Sequence, residues 1–277
     1  MFSLRPLLIV LALPIISVGS GQQNTFVPAC GTPLYPSPPP STTLAIDSVC
    51  GLQGDGGPEA QQNRAKNNFC ASGDLQLLTG KDFQKLQEQV DADPSIPFGD
   101  KDSGTRPKGP AQDRGPLQKL GEGKLVSLQG YVLSAKQEGA ESVNCQNTVP
   151  DKPAYHDIHI ELVDKASETD ECAGIVAEMI PHHRPANWRV DNVQQLAKSH
   201  TEVRVTGQLF FDSSHFPCKN GQAVGENPKR ISLWEIHPIY KIDVCSGDCT
   251  GTGQWIPLDQ WLKKKKSAAR PAATSLQ

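Results

Sequence analysis

The order of its apolar-patterned segments constrains this chain more than any other feature. Segments that read as strands cover 124–136, 156–164, 174–181, 202–212 and 230–245, and the convincing helix among them, 191–199, falls between the third and fourth. A β-β-β-α-β-β order is that of an OB-type barrel. The expected fold class is therefore mainly β: a five-stranded barrel over 121–249, preceded by a small cysteine-containing cap of helical or irregular structure. Ile158, Ile160 and Leu162 share one face of the second strand, which sends Asp157, His159 and Glu161 to the other. Glu178 is out of phase with Ala177 and Met179, as Glu235 and His237 are with Trp234 and Ile236. The apolar phase is expected to face the core and the polar phase to stay open to solvent.

Outside the barrel, composition divides the chain. Residues 1–20 carry Arg5, an apolar run from Leu7 to Val18 and then small residues, the layout of a secretory signal peptide. That run is too short to span a bilayer comfortably, so the mature chain is expected to lack a transmembrane segment and to be exported, to a periplasm or outside the cell. A Pro/Ser-rich linker (21–46) follows, with Pro36, Pro38, Pro39 and Pro40 close together. The cap is expected over 47–92, with short helices at 58–70 and 81–92; in the second, Phe83, Leu86 and Val90 recur at helical spacing. A Pro/Gly-rich linker (93–120) leads into the barrel, and a basic tail (250–277) holding the four lysines at 263–266 follows it.

Eight cysteines in an exported chain predict disulfides. Cys30, Cys50 and Cys70 precede the barrel, while Cys145, Cys172, Cys218, Cys245 and Cys249 lie in it or just after it. Both groups are odd, so full pairing requires a bridge from the N-terminal arm to the barrel; the connectivity stays open. Without Arg5, 26 basic residues face 30 acidic ones, and four of the basic ones sit in the tail. An acidic folded part argues against nucleic acid as a partner, because phosphate neutralisation supplies most of that affinity.

Three strings set histidine beside carboxylate: Asp157-x-His159, Asp212-x-x-His215 and Glu235-x-His237. Residues i and i+2 of a strand project to one side, so pairs on nearby strands could close on one ion. His159, Asp212, His215, Glu235 and His237 form the candidate ligand-binding set, with His159, His215 and His237 as metal ligands and one divalent transition metal as the cofactor the set would take. The competing reading makes them surface polar residues and turn formers. His182, His183 and Arg184 could bind an anion or serve acid-base chemistry, or simply form a loop turn. Serine-hydrolase, zincin and P-loop templates have no counterpart in the chain.

The strings Asp157-x-His159, Phe210-Phe211-Asp212-x-x-His215 and Glu235-x-His237-Pro238 resemble the marks of a functionally unassigned group of exported bacterial OB-like domains. The resemblance covers about 124–245, and the chain departs from it in Trp234 and in a cysteine-bearing insertion at 217–228. It implies the fold and the grouping of the five polar residues, and no activity. Three classes of function follow. The leading one is an exported binding or accessory module of unknown ligand. The second is a metal-dependent hydrolase, nuclease-like in one form, with Glu161 or Glu178 as general base. The third is a structural or protein-interaction domain whose partner is a cell-envelope protein.

Overall fold

Among the residues described, 26, 32–36, 45–94, 96, 113–224, 229–249 and 253–268, the computed structural model has seven strands in one sheet. They are β1 (Ser72–Leu78), β2 (Lys124–Gln137), β3 (Ile158–Val163), β4 (Ile175–Met179), β5 (Glu202–Phe211), β6 (Trp234–Ser246) and β7 (Gln254–Pro257). The helices are α1 (Ala45–Val49), α2 (Ala60–Lys66), α3 (Gly80–Ala92), α4 (Gly115–Leu120), α5 (Val190–Ser199) and α6 (Leu258–Ala268). The strand order is β1-β2-β3-β4-β6-β5, and β5 returns to pair with β2, closing β2 to β6 into a five-stranded barrel. The β4–β6 pair is parallel and the other barrel pairs are antiparallel. With α5 between β4 and β5, this is the OB-type arrangement expected from the strand order.

The period-2 alternation fills the interior. Val126, Leu128, Ile158, Ile160, Leu162, Ile175, Ala177, Met179, Trp234 and Ile236 belong to one core cluster with Trp188, Val193 and Leu196 of the α5 region. Helix α3 starts where the Asp82 carboxylate reaches back to accept from the Thr79 amide at 3.0 Å, and it buries Phe83 and Val90 in the same core. Gly207 marks a break in the β5–β6 register. A Cβ there would stand 2.3 Å from the Pro238 carbonyl oxygen, so the close approach of the two backbones requires glycine.

Two strands have no counterpart in the sequence reading. β1 adds to β2 in parallel, and β7 pairs with β6. Helix α6 carries the lysine run on its exposed side while Leu258 and Leu262 enter the core, so folded structure continues past residue 249. Leu117 of α4 is also core, and Arg114 is buried in an ion pair with Glu122; both fall in the stretch read as linker. The signal-like segment 1–20 and Cys30 lie outside the described residues.

Three bridges are described: Cys50–Cys145, Cys172–Cys218 and Cys245–Cys249, and Cys70 is disulfide-bonded as well. The first ties the N-terminal arm to the barrel. No helix among the described residues is long and apolar enough to cross a membrane.

Candidate metal centre

Three adjacent strands bring the polar phase together. His159 of β3 lies directly across from Glu178 of β4, and Ala177 is in register with Ile236, which sets Glu178 beside Glu235 and His237 of β6. Asp157 sits just before β3 on the same side. Neighbouring outward residues of paired strands are within side-chain contact, so register alone assembles this group.

The polar face is not open. Glu178 is 1 % exposed, and Asp157, Glu235 and His237 are fully buried. The cover is the cap. The Gln208 side chain on the outside of β5 donates to the carbonyls of both Ala65 and His237 at 2.7 Å, joining α2 to β6. The Tyr240 hydroxyl donates to the Asn68 carbonyl at 2.5 Å, and Phe26, Ala65 and Phe210 form a small apolar cluster in which the Phe210 ring lies 5.2 Å from the His237 ring. Lys66, also buried, ends α2 at this layer.

The ion-pair distances are short. His159 Nε2 is 2.7 Å from Glu178 Oε1, and its Nδ1 is 3.1 Å from Glu138 Oε1. His237 Nδ1 is 3.0 Å from Glu178 Oε2 and 3.3 Å from Glu235 Oε1. Arg230 Nη1 lies 2.8 Å from Glu235 and 3.3 Å from Asp212, which also pairs with His215. Burial alone would depress both histidines, but the facing carboxylates outweigh it and hold His159 at about 10 and His237 at about 9. Burial works to raise Glu178 too, yet His159, His237 and Lys66 keep it well below the usual carboxylate range. Asp157 has no such neighbour as close, and burial followed by the charges of Glu141 and Glu178 pushes it up to about 7. Burial and then Glu178 also raise Glu235.

Distance is satisfied here and direction is not. Both ring nitrogens of His237, both oxygens of Glu178 and Oδ2 of Asp157 are buried without a hydrogen bond. Asp157, Glu178 and His237 each offer one ligand atom, and these three atoms lie within 4.8 Å of one another. Two carboxylates and an imidazole form a donor set for divalent transition metals. Each has an outer partner: Asn144 Nδ2 donates to Asp157 Oδ1 at 3.0 Å, His159 pairs with Glu178, and Glu235 pairs with His237. Outer partners of this kind orient ligands at metal sites.

Of the residues singled out from the sequence, His237 and Glu178 are in this trio, His159 and Glu235 adjoin it, and Asp212 and His215 sit one step further, beyond Arg230. Glu161 lies apart on β3: its Oε2 accepts from Ser134 at 3.0 Å and burial pushes it up to about 7. Arg184 donates to the carbonyls of His156 and Ala154, both at 2.9 Å, and His182 pairs with Asp47, so this loop binds cap to barrel. A groove of about 540 Å³ beside α5, lined in part by Arg184, Trp188 and Gln194, has none of the three ligand residues in its lining; Gln137, which does line it, donates to the Asp157 carbonyl at 2.8 Å. Asn144 and Lys66 carried no sequence signal. No family model matches the chain, and no curated protein or solved structure matches it.

Proposed function

We propose that the protein is an exported, disulfide-bonded binding module whose ligand is a divalent transition-metal ion held by Asp157, Glu178 and His237. One observation carries this reading: three ligand-type side chains, buried together, each offer one atom within 4.8 Å of the others, and among their atoms Oδ2 of Asp157, both oxygens of Glu178 and both ring nitrogens of His237 make no hydrogen bonds. Buried polar atoms normally find partners, and an ion would satisfy several of these at once. The oxygen and nitrogen donors, with no thiolate among them, favour a borderline or hard ion. Burial of the ligands supports binding over turnover, because a catalytic metal keeps an open position for substrate. The D-x-H and E-x-H-P strings that resemble the exported bacterial domains supply Asp157 and His237, and we read them as marks of this centre.

The test is elemental analysis of untagged protein produced through an oxidising compartment under metal-replete conditions. About one transition-metal ion per chain is expected, lost in Asp157→Ala and in His237→Ala variants that keep their circular dichroism. A metal-free native protein, or undiminished metal in both variants, overturns the reading.

A further inference from the structure

The three ligand residues are not held alike. Glu178 and His237 project from within paired strands, whereas Asp157 closes the long loop before β3. What fixes the Asp157 carboxylate is Asn144, itself buried, through the 3.0 Å hydrogen bond to Oδ1. Asn144 ends a single 3-10 turn, Ser142–Asn144, and the next residue, Cys145, is left-handed with φ 57° and bridged to Cys50.

The cap grips that turn from several directions. Asn67 Nδ2 donates to the Val143 carbonyl at 3.3 Å and to that of Leu52 at 3.2 Å. The Asp55 amide donates to the Ser142 carbonyl at 2.8 Å, and Lys66 Nζ pairs with Glu141 at 3.2 Å. Gly54, at φ +55°, lies so close that a Cβ would stand 2.1 Å from the Ser142 carbonyl oxygen. One covalent bond and a set of polar contacts thus run from the cap, through the 142–145 turn, to Oδ1 of the ligand residue Asp157.

Resting on the metal reading above, we infer that Asn144 is a positioning residue for the ligand Asp157, and that the Cys50–Cys145 bridge, by fixing Asn144, sets how tightly the centre holds its ion. Cap and centre then form one device, in which a bond more than ten residues from any ligand on its Cys145 side governs metal affinity. A purely structural bridge would raise unfolding stability and leave the affinity of the folded protein unchanged. Loss of an outer-shell partner at a metal site typically weakens affinity about 10–100-fold.

The experiment is competition for Zn²⁺ between a chromophoric chelator and the untagged full chain. It compares the native protein with Asn144→Ala, with Cys50→Ser/Cys145→Ser, and with Cys245→Ser/Cys249→Ser as a bridge remote from Asp157. The expected result is a loss of about 10–100-fold in Zn²⁺ affinity for the first two variants and none for the third. The Co²⁺-loaded Asn144→Ala protein should also show a shifted visible spectrum, which a change in stability alone would not produce. If Asn144→Ala binds Zn²⁺ as tightly as the native chain while Asp157→Ala does not bind it, the metal reading stands and this inference falls. A native protein that binds no Zn²⁺, Co²⁺ or other divalent ion removes both. Should the Cys50→Ser/Cys145→Ser chain fail to fold, Asn144→Ala and Gly54→Ala, which presses on the same turn, decide the matter.

Discussion

Glu161 shows how much a side chain's surroundings matter within one strand. It shares the outward phase of β3 with His159, yet it faces no cation at close range and accepts only from Ser134, and burial raises its pKa to about 7. In the unfolded chain it titrates at its ordinary value of 4.5, so the folded state binds the extra proton between those limits. Its contribution to stability is complete below about pH 4.5 and disappears as pH rises through about 7. Glu161→Gln should therefore flatten the stability profile over that interval, gaining about 1–2 kcal/mol over the native chain at pH 8 once residual solvent at the site is allowed for. Urea unfolding at pH 5 and pH 8 measures it, and an unchanged profile would show that the carboxyl is solvated after all. At this scale the sequence was partly legible. The alternation of β3 and β6 puts Asp157, His159, Glu235 and His237 on one side, but the choice among them as ligands depends on which strands are neighbours. Glu178 enters the trio because Ala177 is in register with Ile236, and no local string records that pairing.

Among the elements, the barrel strands were readable because each buries a full apolar face, and their limits differ from the expected ones by a few residues at most. Strand β1 was not: in Ser72–Leu78, Leu75 and Leu77 are more than half exposed and the strand packs on little, so no burial pattern marks it. Helix α6 was hidden by its lysines, since only Leu258, Asp259 and Leu262 are buried. Strand β6 was readable, but the break in its pairing depends on Gly207 of β5, which no pattern within β6 records. Gly207→Ala should cost about 1–3 kcal/mol, because the new methyl would meet the Pro238 carbonyl and the Ile236 side chain at 2.6 Å or less. Thermal unfolding of this variant beside Gly139→Ala, where nothing lies within 4 Å of the added carbon, isolates the effect. Equal melting of the two would mean that the strands can part at no cost.

For the whole molecule, bridges of very different span make a graded prediction. Cys50–Cys145 closes 95 residues and Cys245–Cys249 closes 4. If chain entropy dominates, removing the first should cost about 4–5 kcal/mol and the second about 2 kcal/mol, read from denaturant midpoints of the paired Cys→Ser variants. Equal losses would point to native-state strain or residual structure in the unfolded chain. The need for a bridge between arm and barrel followed from counting cysteines, but its position did not, because pairing depends on where the cap lies.

The cap's placement also bears on the order in which structure forms. Residues 45–71 rest on side chains of β5 and β6, such as Gln208 and Tyr240, and on the turn at 142–145. The contacts to β5 and β6 close loops of well over a hundred residues and the bridge to the turn closes one of 95, which is slow compared with local pairing. A ribosome delivers the cap early and its docking platform late, so the earlier segment waits unattached while the strands beneath it are still being made.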